Sequence, residues 1–383
     1  MCIFDKKFKS ESMDFTEVYP EQVKTETQCG LSIAFFPDLP NEWQINLESR
    51  RYIGNKAKLS TWLSDILLES TNYYKDCDTF FDVFAGTGCI AKSMFASFKK
   101  VIVNDILHSN QVIYKAFFLK TAWDKAKVFN LLDTYNTLNT NKLPENYFSE
   151  NFGGKFFDHK NAKLIGYIRE DLEQRKREGE LNEKEFCVLL ATLIYNIDKI
   201  ANTLGHFDAY IKKPIRHQTL YLKSIQPIEF EGIEIYREDA NDLVRKVKAD
   251  IAYIDPPYNS RQYNRFYHIY ENLTEWKKPE LFGVALKPKP ENSSVYCTTK
   301  AKEAFQDLVE NLDAKYLAVS YNNTYNAKSQ SSENKIKLVE IEEILKAKGE
   351  TKVFECDHPY FNTGKTEFNE HKELLFICQS IRN

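Results

Sequence analysis

Several features that mark common protein classes are missing from this sequence of 383 residues. Its eight cysteines are scattered, with no CxxC pair and no histidine cluster at metal-ligand spacing, so we expect buried reduced thiols and no zinc site. No apolar run is long enough to cross a bilayer, and the N-terminus has no signal-peptide core. We therefore expect a cytoplasmic protein that makes no membrane contact.

An excess of positive charge is also missing. The chain has 52 Lys and Arg against 55 Asp and Glu, which gives a formal net charge of −3. Binding to nucleic acid would therefore have to depend on a local basic surface, since the chain as a whole does not attract phosphates.

The pattern of strands and helices favours an α/β fold. Short β-rich runs at 79–84, 100–104, 233–237, 251–255, 316–321, 351–356 and 373–378 alternate with helical stretches at 56–69, 89–98, 239–247, 300–312 and 335–348. This alternation is typical of a doubly wound, mostly parallel sheet, which binds ligands at the carboxyl ends of its strands.

One segment departs from this alternation. From about 109 to 231 no clear strand is present, and amphipathic helical runs take its place over a length that no ordinary connection reaches. We therefore predict an N-terminal extension at 1–45, a catalytic domain formed by 46–108 and 232–383, and an inserted, largely helical subdomain at 109–231.

The stretch FFDVFAGTGCIA (80–91) predicts a strand, a tight turn and a helix. Gly86 and Gly88 allow the backbone to turn tightly beneath a ligand, and Asp105, at the end of the next strand, suits both hydroxyls of a ribose. This spacing fits a nicotinamide dinucleotide as well as S-adenosylmethionine (AdoMet). Asp82 favours AdoMet, because a carboxylate inside the strand can reach the cationic amine of AdoMet. A pyrophosphate needs no such carboxylate nearby.

The stretch AYIDPPY (252–258) places Asp255 at the end of a strand, followed by Pro256, Pro257 and Tyr258. The exocyclic amine of adenine is a poor nucleophile because its lone pair is delocalised into the ring. The Asp255 carboxylate and the Pro256 carbonyl can each accept one of its N–H groups, and the prolines fix both acceptors in advance. Tyr258 offers a face on which an extruded base can stack. The alternative is an ordinary strand-ending Asp-Pro turn.

Basic and aromatic residues occur together in two places. Residues 199–223 contain five Lys and Arg against one acidic residue, which suits phosphate contacts with base stacking, or else a solvated loop. Beyond the aspartate, Arg261 and Arg265 are expected on one helix face, in contact with the phosphates of a flipped strand. The predicted DNA-binding residues are Lys212, Lys213, Arg216, Arg261 and Arg265. The proline-rich loop 286–300 is a second candidate DNA-facing element.

These blocks together resemble the adenine-specific DNA methyltransferases of the alpha group, and within it the FokI-type methylases. The similarity is carried by RRYIGNKAKL (50–59), FFDVFAGTGCIA (80–91), VIVNDIL (101–107), DKIANTLGHFDAYIK (198–212), EDANDLV (238–244) and AYIDPPYNSRQYNRFYHIYENL (252–273). The resemblance implies a Rossmann-like AdoMet-dependent methyltransferase sheet, mostly parallel with an antiparallel last strand. It also implies methyl transfer to the amino group of adenine in DNA.

The resemblance further implies roles for single residues. The catalytic block would be Asp255, Pro256, Pro257 and Tyr258. The AdoMet site would comprise Tyr52, Gly54, Lys56, Asp82, Phe84, Gly86, Gly88, Asp105, Ile106, Asp239 and Ala240, with Tyr52, Gly54 and Lys56 at the methionine end and Asp239 at the adenine ring. From the residues alone, Asp239 could equally cap a helix that begins near Ala240, and Lys56 could simply start a helix.

The partners that the resemblance implies are double-stranded DNA and a cognate restriction endonuclease acting on the same site. Four alternatives stay open on the sequence. They are the same chemistry on adenine in RNA, a cytosine amine as target (where a serine would be expected in place of Asp255), a nicotinamide-dependent oxidoreductase, and a catalytically silent nucleic-acid-binding module.

Overall fold

The computed structural model describes residues 45–72, 76–215, 217–257, 259–323, 334–357 and 372–381. The predicted extension up to residue 44, together with Arg216 and Tyr258, lies outside these residues.

A seven-stranded sheet forms the centre of the described residues. Its strands are β1 (Thr79–Asp82), β2 (Lys100–Asn104), β3 (Ile233–Tyr236), β4 (Lys248–Ile254), β5 (Asp313–Asn322), β6 (Gly349–Asp357) and β7 (Lys372–Ser380). They are arranged in the order β3-β2-β1-β4-β5-β7-β6. The first five strands of this order pair in parallel, while β7 runs antiparallel to both β5 and β6. The predicted mostly parallel sheet with an antiparallel last strand is confirmed.

Helices cover both faces of the sheet, and this explains why its strands read as continuous apolar runs. Phe80 and Phe81 in β1 are both fully buried, but they belong to two different hydrophobic clusters. Successive side chains of a strand point to opposite faces, so one apolar run contributes to two cores.

The α-helices are α1 (Ser60–Ser70), α2 (Cys89–Ser93), α3 (His108–Phe118), α4 (Lys125–Asn136), α5 (Tyr147–Phe152), α6 (His159–Arg177), α7 (Glu183–Ile200), α8 (Ala240–Leu243), α9 (Tyr263–Phe266), α10 (His268–Glu275), α11 (Ala301–Asn311) and α12 (Leu338–Lys348). Among the described residues, no helix has the length and apolar character needed to cross a membrane.

Helices α3 to α7 occupy most of the segment for which an insert was predicted. Its central helix, α7, starts at a capping box in which Asn182 and Glu185 satisfy each other's backbone N–H groups, and it is buried from residue 184 to residue 198. The apolar residues of α7 belong to the same cluster as one face of the sheet. The division of the chain into an insert and a catalytic domain stays a prediction.

Glu271 in α10 caps the start of α3, whose own N-cap residue, Leu107, offers no side-chain acceptor. Its buried carboxyl group accepts the backbone N–H groups of His108 and Ser109, each at 2.9 Å. Burial raises the pKa of Glu271 to about 7, although the hydrogen bonds from Ser109 and His108 oppose the shift. The carboxyl group therefore changes charge near neutral pH inside the fold.

We expect Glu271→Gln to reduce the pH dependence of stability. The folded-state pKa of about 7 lies above the usual value of 4.5, so the stabilisation from this group is complete below pH 4.5 and is lost as pH rises through 7. The loss amounts to roughly 3 kcal/mol. Urea unfolding from pH 4 to 8 measures it, with Glu303→Gln on the exposed side of α11 as control. Parallel stability profiles for Glu271→Gln and the wild type would contradict the buried, protonated carboxyl group.

Candidate active site

A cavity of about 980 Å³, counting the solvent at its mouth, opens where β1, β2, β3 and β4 end. This is the edge at which open α/β sheets bind ligands. The predicted site residues that line it are Tyr52, Gly54, Lys56, Asp82, Phe84, Gly86, Asp105, Ile106, Asp239, Ala240, Asp255, Pro256 and Pro257. Blocks that are distant in sequence therefore meet in one cavity.

The turn between β1 and α2 requires glycine at position 88, although Gly88, a predicted cofactor-binding residue, is not among the residues that line the cavity. Gly86 and Gly88 have φ angles of +53° and +78°. The Gly88 N–H donates to the Ala85 carbonyl at 2.7 Å, and the Tyr114 hydroxyl donates to the Gly86 carbonyl at 2.8 Å. A Cβ atom on Gly88 would lie 3.0 Å from the Phe118 ring. Both the left-handed backbone and the adjacent ring exclude a side chain there.

Asp105 fastens the glycine turn to the end of β2. Its carboxylate accepts the N–H of Gly86 at 3.0 Å and the N–H of Leu107 at 2.9 Å. Burial raises the pKa of Asp105, while hydrogen bonds from Leu107, Asn110 and Gly86 oppose the shift. A carboxylate has about four lone-pair sites, so this structural role leaves it the capacity to accept a ribose hydroxyl.

Asp82 is an acidic side chain buried in the wall of the cavity. It is 1% exposed, and neither of its oxygens accepts a hydrogen bond of normal geometry from the described residues. Burial raises the pKa of Asp82 well above its usual value, the carboxylate of Asp255 raises it further, and the Ala91 amide partly opposes this. A buried carboxyl group of this kind is stabilised when a cationic group binds beside it.

The block at 50–56 packs against α9 and α10. The Tyr52 ring stacks on Tyr263 and Tyr267, with ring centroids 5.3 Å and 4.8 Å away. Ile53 donates its N–H to the Tyr267 hydroxyl at 2.8 Å, and Gly54 has a φ angle of +77°. The aromatic stack therefore holds one wall of the cavity in place.

Asp255 directly follows β4 and faces the ammonium of a buried lysine. Lys56 Nζ lies 3.4 Å from Asp255 Oδ1 and also forms an ion pair with Glu373 on β7. Burial alone would lower the pKa of Lys56, but the two carboxylates outweigh burial and raise it. Lys56 precedes α1, which begins at Ser60, so it does not start that helix. Its assignment to the methionine end of a cofactor stays a prediction.

Loop 286–300 contributes a wall that the sequence did not predict. Gln262 and Ser294 exchange two hydrogen bonds, of 2.9 Å and 2.8 Å, and both line the cavity. Tyr296 meets Phe84 edge to face at 5.1 Å. The only sequence signal was an irregular proline-rich loop, which predicted a DNA-facing element.

Asp239 caps α8 by accepting the Asn241 N–H at 2.9 Å, which is the alternative that the sequence left open. It lines the cavity as well.

The two predicted basic segments lie side by side. The Phe207 N–H donates to the Phe266 carbonyl at 2.8 Å. Lys212, Lys213 and Arg261 are exposed. The expectation that Arg261 and Arg265 share one helix face is wrong, because α9 begins at Tyr263. Arg265 is half-buried and donates to the Pro288 carbonyl at 2.6 Å, so its guanidinium also holds the loop.

Comparison with known families decides what kind of protein carries this site. The sequence model of the D12 class N6 adenine-specific DNA methyltransferases matches residues 52–325. The match includes the glycine turn, Asp105 and Asp255. The chain belongs to this family.

Three relatives of this D12 methyltransferase are each named a type II methyltransferase. The FokI enzyme of Planomicrobium okeanokoites is 31% identical over 351 residues, covering 86% of this chain and 52% of the relative. The NlaIII enzyme of Neisseria lactamica is 29% identical over 335 residues, covering 84% and 95%. The CviAII enzyme of Paramecium bursaria Chlorella virus 1 is 28% identical over 340 residues, covering 85% and 97%. The chain thus spans about half of the FokI enzyme but nearly all of the other two.

Membership of the D12 methyltransferases confirms the resemblance found in the sequence, and it implies that the protein uses a methyl donor. It does not favour the nicotinamide oxidoreductase or the RNA methyltransferase. The family match ends at residue 325, so it does not cover Glu373, which sequence reasoning also missed.

We expect Gly88→Ala to destabilise this methyltransferase more than Gly179→Ala does. The two glycines have φ angles of +78° and +75°, but a Cβ would meet the Phe118 ring only at Gly88 and nothing within 4 Å at Gly179. The left-handed backbone alone costs roughly 1–2 kcal/mol, and displacing the ring adds about 1–3 kcal/mol. Urea unfolding measures both variants. Equal losses would show that contact with the ring does not restrict position 88.

Proposed function

We propose that this methyltransferase transfers a methyl group from AdoMet to the exocyclic amine of adenine in double-stranded DNA. The observation that carries the proposal is that the Asp255-Pro-Pro segment and the glycine turn open into one cavity. The family and the names of the relatives support adenine in DNA as the substrate.

The residues of the cavity fit AdoMet, which supplies, when bound, a methyl group activated on a sulfonium. The Asp82 carboxylate would pair with the α-amino group of the methionine end, since its oxygens lack normal hydrogen bonds within the described residues. Asp105 would accept a ribose hydroxyl. Asp239, Phe84 and Ala240 line the same cavity and would surround the adenine ring.

Asp255 and Pro256 would act on the target amine. The carboxylate and the Pro256 carbonyl each accept one N–H, which draws the nitrogen towards tetrahedral geometry and makes its lone pair available for attack. Lys56 contacts Oδ1 and so restrains the rotation of the carboxylate. Pro256 and Pro257 restrict the backbone before the base arrives. The stacking role of Tyr258 rests on the sequence alone.

A basic surface beside the cavity would bind the phosphates. Segment 201–213 is joined to α9 by the Phe207–Phe266 hydrogen bond and to loop 286–300 by an ion pair between Asp208 and Lys287. Lys212 and Lys213 in this segment are exposed, and so is Arg261 just before α9. Arg216, which follows Lys213 closely in the sequence, would extend this surface.

The type II relatives suggest that the protein is the modification half of a restriction–modification system, with a cognate endonuclease acting on the same site.

We expect Asp255→Ala to abolish methyl transfer, with a loss of at least about 100-fold, because the amine loses its charged acceptor. Asp255→Asn should be less damaging, since the amide oxygen still accepts one hydrogen bond. The assay incubates labelled AdoMet with a library of unmethylated duplex DNA and maps the modified bases by sequencing.

Calorimetry should show that both Asp255 variants still bind AdoMet, and Asp65→Ala on the exposed side of α1 should behave as the wild type. Near-normal turnover by Asp255→Ala would disprove the role of Asp255. Methylation of cytosine alone, or of RNA alone, would disprove the proposed substrate.

We expect the double variant Lys212→Ala/Lys213→Ala to bind DNA more weakly and with less dependence on salt. Each phosphate contact contributes about −0.9 to the slope of log K against log salt, so the slope should flatten by up to about 2. Titration of labelled duplex at several salt concentrations measures the slope. Lys302→Ala/Lys346→Ala on α11 and α12 is the control. AdoMet affinity should stay unchanged, and an unaltered slope would show that residues 212–213 are only a solvated loop.

A further inference from the structure

Glu373 is a buried acid at the active site that neither the family match nor the sequence motifs explain. It lies on the antiparallel strand β7, in register with Asn322 of β5, and is only 3% exposed. Its carboxylate forms an ion pair with Lys56 and accepts a hydrogen bond from the Ser320 hydroxyl at 2.8 Å. Burying a carboxylate is costly unless it is paired, and these partners compensate for it.

Lys56 is shared between two carboxylates. Its ammonium makes the closer contact with Glu373 and a looser one, of 3.4 Å, with Asp255. The lysine side chain is flexible, so its ammonium moves towards whichever carboxylate attracts it more strongly. Without the charge on Glu373, the ammonium would be drawn fully onto Asp255. A carboxylate in a tight ion pair is a weaker acceptor for the N–H of a neutral amine.

We propose that Glu373 is a positioning residue for methyl transfer, which draws the Lys56 ammonium partly away from Asp255 and so keeps Asp255 a strong acceptor for the target amine. This inference rests on the proposed function. Ser320, which is fully buried on β5, fixes the Glu373 carboxylate from the other side. The Lys56 pKa is raised by Asp255 and Glu373 together, against burial, and this agrees with a shared ammonium.

Other titratable groups also face Asp255 and would contribute to a pH profile. They are Lys56, Asp82, the phenols of Tyr253 and Tyr263, and the thiol of Cys89. Burial raises the pKa values of the two phenols and of Cys89, so they stay neutral near pH 7. The acid limb of activity therefore combines Asp255 with Asp82. For this reason the pH profile of each variant is compared with that of the wild type.

The test is Glu373→Gln in the full chain, with Glu355→Gln as a matched control. Glu355 lies on the neighbouring strand β6, forms an ion pair with Lys372, and has a half-exposed side chain. In Glu373→Gln we expect kcat to fall about 10- to 100-fold, with the KM for AdoMet nearly unchanged. We also expect the acid limb to move to lower pH, because a tighter Lys56 pair lowers the pKa of Asp255. Glu355→Gln should alter neither.

A second readout does not depend on activity. Carbon-13 NMR of labelled lysine side chains should show a lower pKa for Lys56 in Glu373→Gln than in the wild type, since one of the two carboxylates is lost. An unchanged Lys56 titration, or wild-type kcat with an unshifted acid limb, would overturn the proposal. If Glu373→Gln fails to fold, Glu373→Asp, whose shorter side chain withdraws the carboxylate from Lys56, should give a smaller shift in the same direction, and no shift would likewise overturn the proposal. Wild-type protein without methyl transfer would refute the proposed function, while the Lys56 titration would still decide whether Glu373 holds the ammonium.

Discussion

The parallel pairing of β1 with β4 is the constraint on which the rest of the site depends. Asp82 pairs in register with Tyr253, so the glycine turn after one strand and Asp255 after the other reach the same edge of the sheet. The acidic side chains of Asp82 and Asp255 therefore lie in one poorly solvated space. The buried ammonium of Lys56 compensates for part of this charge, and burial raises the pKa of Asp82, which favours its neutral form. The pairing therefore fixes both the geometry and the electrostatics of the site.

The elements of this fold could be predicted from local patterns, because strands buried on both faces and amphipathic helices each have a short-range signature. All seven predicted strands are present, although α2 ends at Ser93 where a helix up to residue 98 was predicted. The glycine turn, Asp105 and Asp255 could be predicted as one site because the carboxyl ends of parallel strands must meet. Glu373 could not, since its contact with Lys56 joins residues 317 positions apart. A single acid in the apolar run ELLFIC was its only sequence signal.

A second long-range contact joins helix α7 to the segment before α1 and to α10. The Asp198 carboxylate, near the end of α7, accepts the Arg51 N–H at 2.9 Å and the Tyr270 hydroxyl at 2.8 Å. Burial raises the pKa of Asp198, and these two hydrogen bonds oppose the shift. One side chain thus connects α7, the segment before α1, and α10. Tyr52, which follows Arg51 in the chain, lines the cavity, so α7 is fastened to the chain beside that wall.

The buried carboxyl group of Asp82 has a thermodynamic consequence for ligand capture. Its raised pKa favours the protonated form in the unliganded protein, whereas a cationic amine binds best to the ionised form. Under the proposed function, cofactor binding would then expel a proton into the solvent. The apparent affinity would rise with pH, and the heat of binding would vary with the ionisation enthalpy of the buffer. Entry of the methyl donor would be a proton-exchange equilibrium as well as an association.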